Sequence, residues 1–98
     1  FEDIITLDKA SIQRVLREVD NEDLVLALKG ASEEVSRVIF NNMSKRAVEM
    51  IKEDIEFMGP VRLSTVEEAQ QKIVAIIRRL DEAGEIILGR GDQDSVIL

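Results

Sequence analysis

Apolar residues recur three and four positions apart from Ile12 to Leu80, and no stretch keeps up the two-residue alternation of a strand. That spacing puts the apolar groups on one side of a helix, so the chain reads as all-α. The local chemistry then sets where each helix starts and stops. Ile12, Val15, Leu16 and Val19 form the first stripe, with Asp8 placed to cap it. Asp20-Asn21-Glu22-Asp23 offers a second cap and first-turn acids, Leu24, Ala27 and Leu28 a short stripe, and Gly30 a residue suited to a left-handed C-cap. Ser32 with Glu33 and Glu34 opens a third helix, whose buried side is Val35, Val38 and Ile39 and whose end is Asn41-Asn42.

Ser44 opens a fourth helix, running through Ala47, Met50, Ile51, Ile55 and Met58 to Gly59-Pro60. Proline lacks the amide proton needed to continue, so the stop is strong. Ser64-Thr65-Val66-Glu67 matches the capping box, in which serine and glutamate satisfy each other's free amides. It opens the longest stripe, Val66, Ala69, Ile73, Ile76, Ile77 and Leu80, closed by Arg78, Arg79 and Gly84. Five or six helices with short links favour antiparallel or superhelically stacked neighbours.

The inventory of side chains excludes much chemistry. With no His and no Cys, the usual zinc, iron–sulfur and haem ligand sets cannot be assembled, and the imidazole that activates most serine nucleophiles is missing. No catalytic residue, cofactor or metal is therefore expected. A formal net charge of -7 repels nucleic-acid phosphates, so no nucleic-acid partner is expected. No apolar stretch approaches the roughly 20 residues of a bilayer span, so direct membrane insertion is not expected either. The chain opens on Phe1 rather than Met and is read as a piece of a longer protein or a processed product.

What remains is surface charge. At about 100° per residue, Ala47, Val48, Ile51, Ile55 and Met58 share the core side of the fourth helix. Arg46 and Glu53 lie nearly in line two turns apart, with Glu49 between them and Asp54 at a margin of the apolar stripe. Lys29 before Gly30 and Arg62 after Pro60 sit in turns, where functional residues concentrate. Most charged helix faces only keep a helix soluble, so pattern alone does not give these five a role.

Several segments together resemble the C-terminal domain of the bacterial flagellar motor switch protein FliG. They are the run from Ser11 to Asp20, Ala27-Leu28-Lys29-Gly30-Ala31, Asn42-Met43-Ser44-Lys45-Arg46-Ala47, Gly59-Pro60-Val61-Arg62-Leu63, and Ile77-Arg78-Arg79-Leu80 with Gly84-Glu85. The resemblance covers residues 1–88 and leaves 89–98 as a tail expected to be flexible. It implies a compact superhelical, armadillo-like bundle in the motor's cytoplasmic ring (the C-ring of the basal body), on the cytoplasmic side of the inner membrane. It also implies contact with the cytoplasmic loop of the stator protein MotA, with the switch proteins FliM and FliN, and with neighbouring FliG subunits. Torque would act through charges that fall on Lys29, Arg46, Glu53, Asp54 and Arg62. Two departures stand out. The family commonly has two aspartates where this chain has Glu53-Asp54, and of its Met-Phe-x-Phe hinge only Phe1 is present.

The alternative weighed against this is an acidic cytoplasmic domain of a magnesium transporter, which would bind cations through carboxylate clusters and compact with magnesium. The ordered Ala-Leu-Lys-Gly and Gly-Pro-Val-Arg blocks argue against it. Arg90-Gly91-Asp92 is read as a chance tripeptide, and Gly59-Pro60 as a helix stop as readily as a hinge. Met43, Met50 and Met58 are read as adaptable core filler.

Overall fold

The computed structural model describes residues 1–86, and the expected 89–98 tail with its Arg-Gly-Asp tripeptide lies outside them. These residues form a short 3-10 helix, η1 (Glu2–Thr6), and five α-helices: α1 (Lys9–Glu18), α2 (Asn21–Lys29), α3 (Glu33–Phe40), α4 (Lys45–Met58) and α5 (Leu63–Glu82). No strand occurs among them. The bundle is all-α, as the periodicity implies; η1 has no counterpart in the sequence reading, because five residues are too few to show a stripe.

Three of the expected caps are in place. Asp8 accepts from the Ser11 amide at 2.7 Å, Ser32 from that of Val35 at 3.2 Å, and Ser44 from that of Ala47 at 3.1 Å. Each satisfies one amide that a helix start leaves without a partner. Two expected caps are corrected. Asp20 stands at the N-cap of α2 but its side chain makes no capping bond. The capping box is not used, because α5 starts at Leu63: the Arg62 carbonyl already accepts from Thr65 and Val66, so Ser64 is inside the helix.

The helix ends divide in the same way. Gly84, at φ 76°, closes α5 as expected; its amide bonds the Asp81 carbonyl and that of Glu85 reaches back to Leu80. Gly59, at φ 66° and ψ -160°, ends α4 in a conformation that suits glycine alone. Gly30 is different. It adopts φ -107° and ψ 11°, not a left-handed conformation. Its requirement is space, since a Cβ there would lie 2.6 Å from Cγ1 of Val66.

α2 is the central helix and packs against both α5 and α4, while α1 packs on α5 and α3 on η1. Centrality explains why Leu24, Val25, Ala27 and Leu28 are all buried, more than one face of so short a helix. Ile4, Val15, Val35, Ile39 and Ile73 are essentially inaccessible. α4 is the outlying helix. Ile51 alone on it is fully buried, and Ala47, Val48, Ile55 and Met58 are half-buried rather than core. Met43 and Met58 pack on the core as expected. Met50 does not: it is 57% exposed, because one residue from Ile51 is about 100° round the helix and clears the edge of the contact with α2.

One charge network fastens the end of α5 to α1. Arg14 donates to Glu18 at 2.8 Å and to Glu85 at 2.7 Å, and Arg79 donates to Glu18 at 3.0 Å. The Arg14 hydrogen bond holds the Glu18 carboxyl below its ordinary pKa, and hydrogen bonding by Ser11 does the same for Asp8. Carboxyls depressed in the folded state stabilise it above their unfolded pKa and lose that contribution as pH falls through the folded values. The melting temperature should therefore hold steady near neutrality and fall below about pH 4. The Asp8→Asn, Glu18→Gln double variant should show a shallower acid decline in thermal melts across the same range, since asparagine still caps but neither new side chain titrates.

Candidate functional site

α4 carries its charges against its own dipole. A helix favours anions at its N-terminus and cations at its C-terminus, each by about 0.3–1 kcal/mol. α2 and α3 follow that preference, with acids in the first turn and Lys29 or Arg37 in the last. α4 has no acid in its first turn, which holds Lys45 and Arg46, and no base in its last. Glu56 lies in the last turn, while Glu49, Lys52, Glu53 and Asp54 fall between the two ends, where the dipole acts little. Arg62 repeats the pattern by occupying the N-cap of α5, where serine or aspartate would stabilise the helix. Charges so placed do little for the helices that bear them.

Lys29, Arg46, Glu53, Asp54 and Arg62 are all exposed. Among the described residues none of the five enters an ion pair or a side-chain hydrogen bond, whereas Arg14, Glu18, Arg79 and Glu85 are paired to one another and Lys72 lies 3.6 Å from Asp23. Their charge is presented to whatever approaches from outside.

The fold gathers them in two groups. Arg46 and Glu53 project from the side of α4 opposite Ile55, with Asp54 about 80° round from Arg46, and the three span roughly 12 Å of helix. Lys29 and Arg62, expected in turns, are the last residue of α2 and the N-cap of α5, and they flank another corner. The close approach of Gly30 to Val66 and a 3.1 Å bond from the Gln70 amide to the Ala27 carbonyl seat the end of α2 on the first turns of α5, and Arg62 lies one turn before Val66. The turn at residues 59–61 joins the corner to the ridge.

Two residues of this ridge escaped the sequence reading. Among the described residues the large hydrophobic side chains left exposed are Met50, Phe57 at 87% and Leu63 at 71%. Arg46, Met50, Glu53 and Phe57 follow an i, i+4, i+7, i+11 progression that brings all four within about 60° of arc. The signal is in the wheel: the sequence reading places the charges on it but counts Met50 with the core and leaves Phe57 out.

Among the described residues no group of three or more His, Cys, Asp and Glu side chains is placed to hold a metal ion. No described helix is long and apolar enough to cross a membrane.

Comparison with known proteins accords with the resemblance. The FliG C-terminal domain family matches residues 1–88. The chain is 62% identical over all 98 of its residues to the flagellar motor switch protein FliG of Bacillus subtilis, and 63% identical over the same length to that of Thermotoga maritima. It spans 29% of the length of each of these two proteins. Among solved structures it is similar to a crystal structure of FliG residues 116–343 from H. pylori, with a TM-score of 0.86 and 40% identity, covering 90% of this chain and 39% of that one. These matches favour the rotor reading over the magnesium-transporter one.

Proposed function

The chain belongs to the FliG C-terminal domain family, and from that premise we propose that it is the stator-facing part of a rotor and switch component of the bacterial flagellar motor. In this reading it has no catalytic step. It sits on the cytoplasmic side of the inner membrane in the C-ring of the basal body, alongside FliM, FliN and neighbouring FliG subunits. The cytoplasmic loop of MotA meets the charges of Lys29, Arg46, Glu53, Asp54 and Arg62, and pushing on them generates torque and takes part in switching, hence in motility and chemotaxis.

The observation that carries the reading is that these five exposed charges have no internal partner and that two of them, Arg46 in the first turn of α4 and Arg62 at the N-cap of α5, oppose the local helix dipoles. Exposed ion pairs are worth about 0.2–1 kcal/mol each and are screened over roughly 8 Å at physiological salt. Several such contacts steer a passing subunit into register and still let it go quickly, as a motor stroke needs.

The test is charge reversal in the full-length protein. Arg46→Glu with Asp54→Lys should abolish or strongly reduce swimming in soft agar while leaving protein levels unchanged. Complementary reversals in the stator loop should restore it. If no such combination restores motility, the electrostatic account fails.

A further inference from the structure

We propose that the α4 ridge grips its partner through Met50 and Phe57 as well as through charge, and that the segment it receives is an amphipathic helix of matching order. This rests on the reading above that the ridge meets the stator, and adds the chemistry of the surface it meets. An isolated exposed hydrophobic side chain is ordinary and calls for no explanation. Here the arrangement is not isolated. Two of the three large hydrophobic side chains exposed among the described residues stand seven apart on one helix, in line with two charges that have no internal partner. Seven residues is two turns, the repeat at which two helices lying nearly parallel or antiparallel meet side chain for side chain. α4 is also the least embedded helix, with Ile51 alone fully buried, so this outer face is free along its length.

Along the ridge the order is Arg46, Met50, Glu53 with Asp54, then Phe57, and past the turn Arg62 with exposed Leu63. A complementary helix carries an acid opposite Arg46, a base opposite Glu53 and Asp54, an acid toward Arg62, and apolar residues between them over Met50 and Phe57. The charges set register and on-rate, because they act at a distance. The apolar pair gives contact that salt does not screen. A second copy of this domain fits less well, since an antiparallel copy that sets the acids of one ridge against Arg46 of the other cannot also set Phe57 on Met50 at both ends.

The test measures binding of the full-length switch protein to detergent-solubilised stator complex at about 0.15 M and about 1 M salt, where charges are screened beyond about 8 Å and 3 Å. The parent should retain a salt-resistant fraction of its affinity. The Met50→Gln, Phe57→Asn variant should lose that fraction, with binding weaker by about tenfold or more and an unchanged melting temperature, since both side chains are already exposed. Arg46→Glu with Asp54→Lys should instead remove the salt-sensitive part. If the apolar double variant binds like the parent at both salt concentrations while the reversal variant does not, the inference is overturned and the proposed function stands. If neither variant alters binding, both are overturned. If the apolar variant loses self-association of the switch protein but not stator binding, the ridge is a contact between copies and the inference is again overturned.

Discussion

Ile73→Ala is expected to lower the unfolding free energy by about 2–5 kcal/mol, the range for truncating a large aliphatic side chain in a core. Ile73 is 1% exposed near the middle of α5, the longest helix, against which both α2 and α1 pack. Removing three of its carbons leaves a space that three helices would have to close together, which places the loss toward the upper end. Domains of this size have only about 5–15 kcal/mol to lose. The melting temperature should therefore fall by roughly 8–40 °C, at about 4–8 °C per kcal/mol. Ile73→Val, which removes one carbon, should cost about 0.5–1.5 kcal/mol and serves as the internal comparison. Urea or thermal unfolding of the domain decides it: a loss under about 0.5 kcal/mol, the level of an ordinary surface change, would mean that Ile73 is not tightly packed in the core. In cells such a variant should lose motility through falling abundance. The ridge variants should lose it at normal abundance, which separates the two causes.

That separation reflects how the fold divides its labour. α1, α2 and α5 hold most of the buried surface, with α3 closing over η1. α4 contributes little burial and carries the unpaired ridge. A helix that does little for stability can hold a charge order that its own dipole disfavours, because the cost is small against the rest of the core.

The same division explains what could be read from the sequence. Asp8, Ser32 and Ser44 act on amides three residues away, so their caps were legible, as was Gly84, whose role is written in the turn it closes. The errors came where the deciding contact is distant or a local signal had a competitor. Ser64 and Glu67 match a capping box, but the carbonyl of Arg62 starts the helix two residues earlier. Met50 was placed with the core because its neighbour Ile51 belongs there, and only the packing of α4 on α2 shows which side of the stripe it falls on. For the site, sequence pattern gave the five charged positions and the family resemblance gave their roles. Their exposure and lack of internal partners needed the fold.

Gly30 is the plainest case of a tertiary requirement in a local disguise, and its substitution is the other large effect expected. At φ -107° and ψ 11° its backbone is open to any residue, so a substitution meets no backbone strain. The obstacle is Val66, whose Cγ1 would lie 2.6 Å from a new Cβ, with Gln70 Nε2 at 3.6 Å. Val66 is 4% exposed and helical, and valine in a helix keeps one side-chain rotamer about nine times in ten, so it cannot easily swing aside. Gly30→Ala should force α2 and α5 apart at this corner and cost about 1–3 kcal/mol, as overpacking does. Val66→Ala removes the obstructing carbon. In the double variant the two losses should not add, leaving a coupling of at least about 1 kcal/mol in a double-mutant cycle measured by urea unfolding. A left-handed backbone requirement would also make Gly30→Ala harmful, but Gly30→Asn would then be tolerated and Val66→Ala would bring no relief. Because Lys29 adjoins Gly30 and Arg62 lies one turn before Val66, the single variant should also spread the Lys29 and Arg62 corner, and the double variant should bring it back. Motility that follows the cycle, lost with Gly30→Ala and regained with Val66→Ala, would tie the close approach of two helices to the placing of two charges.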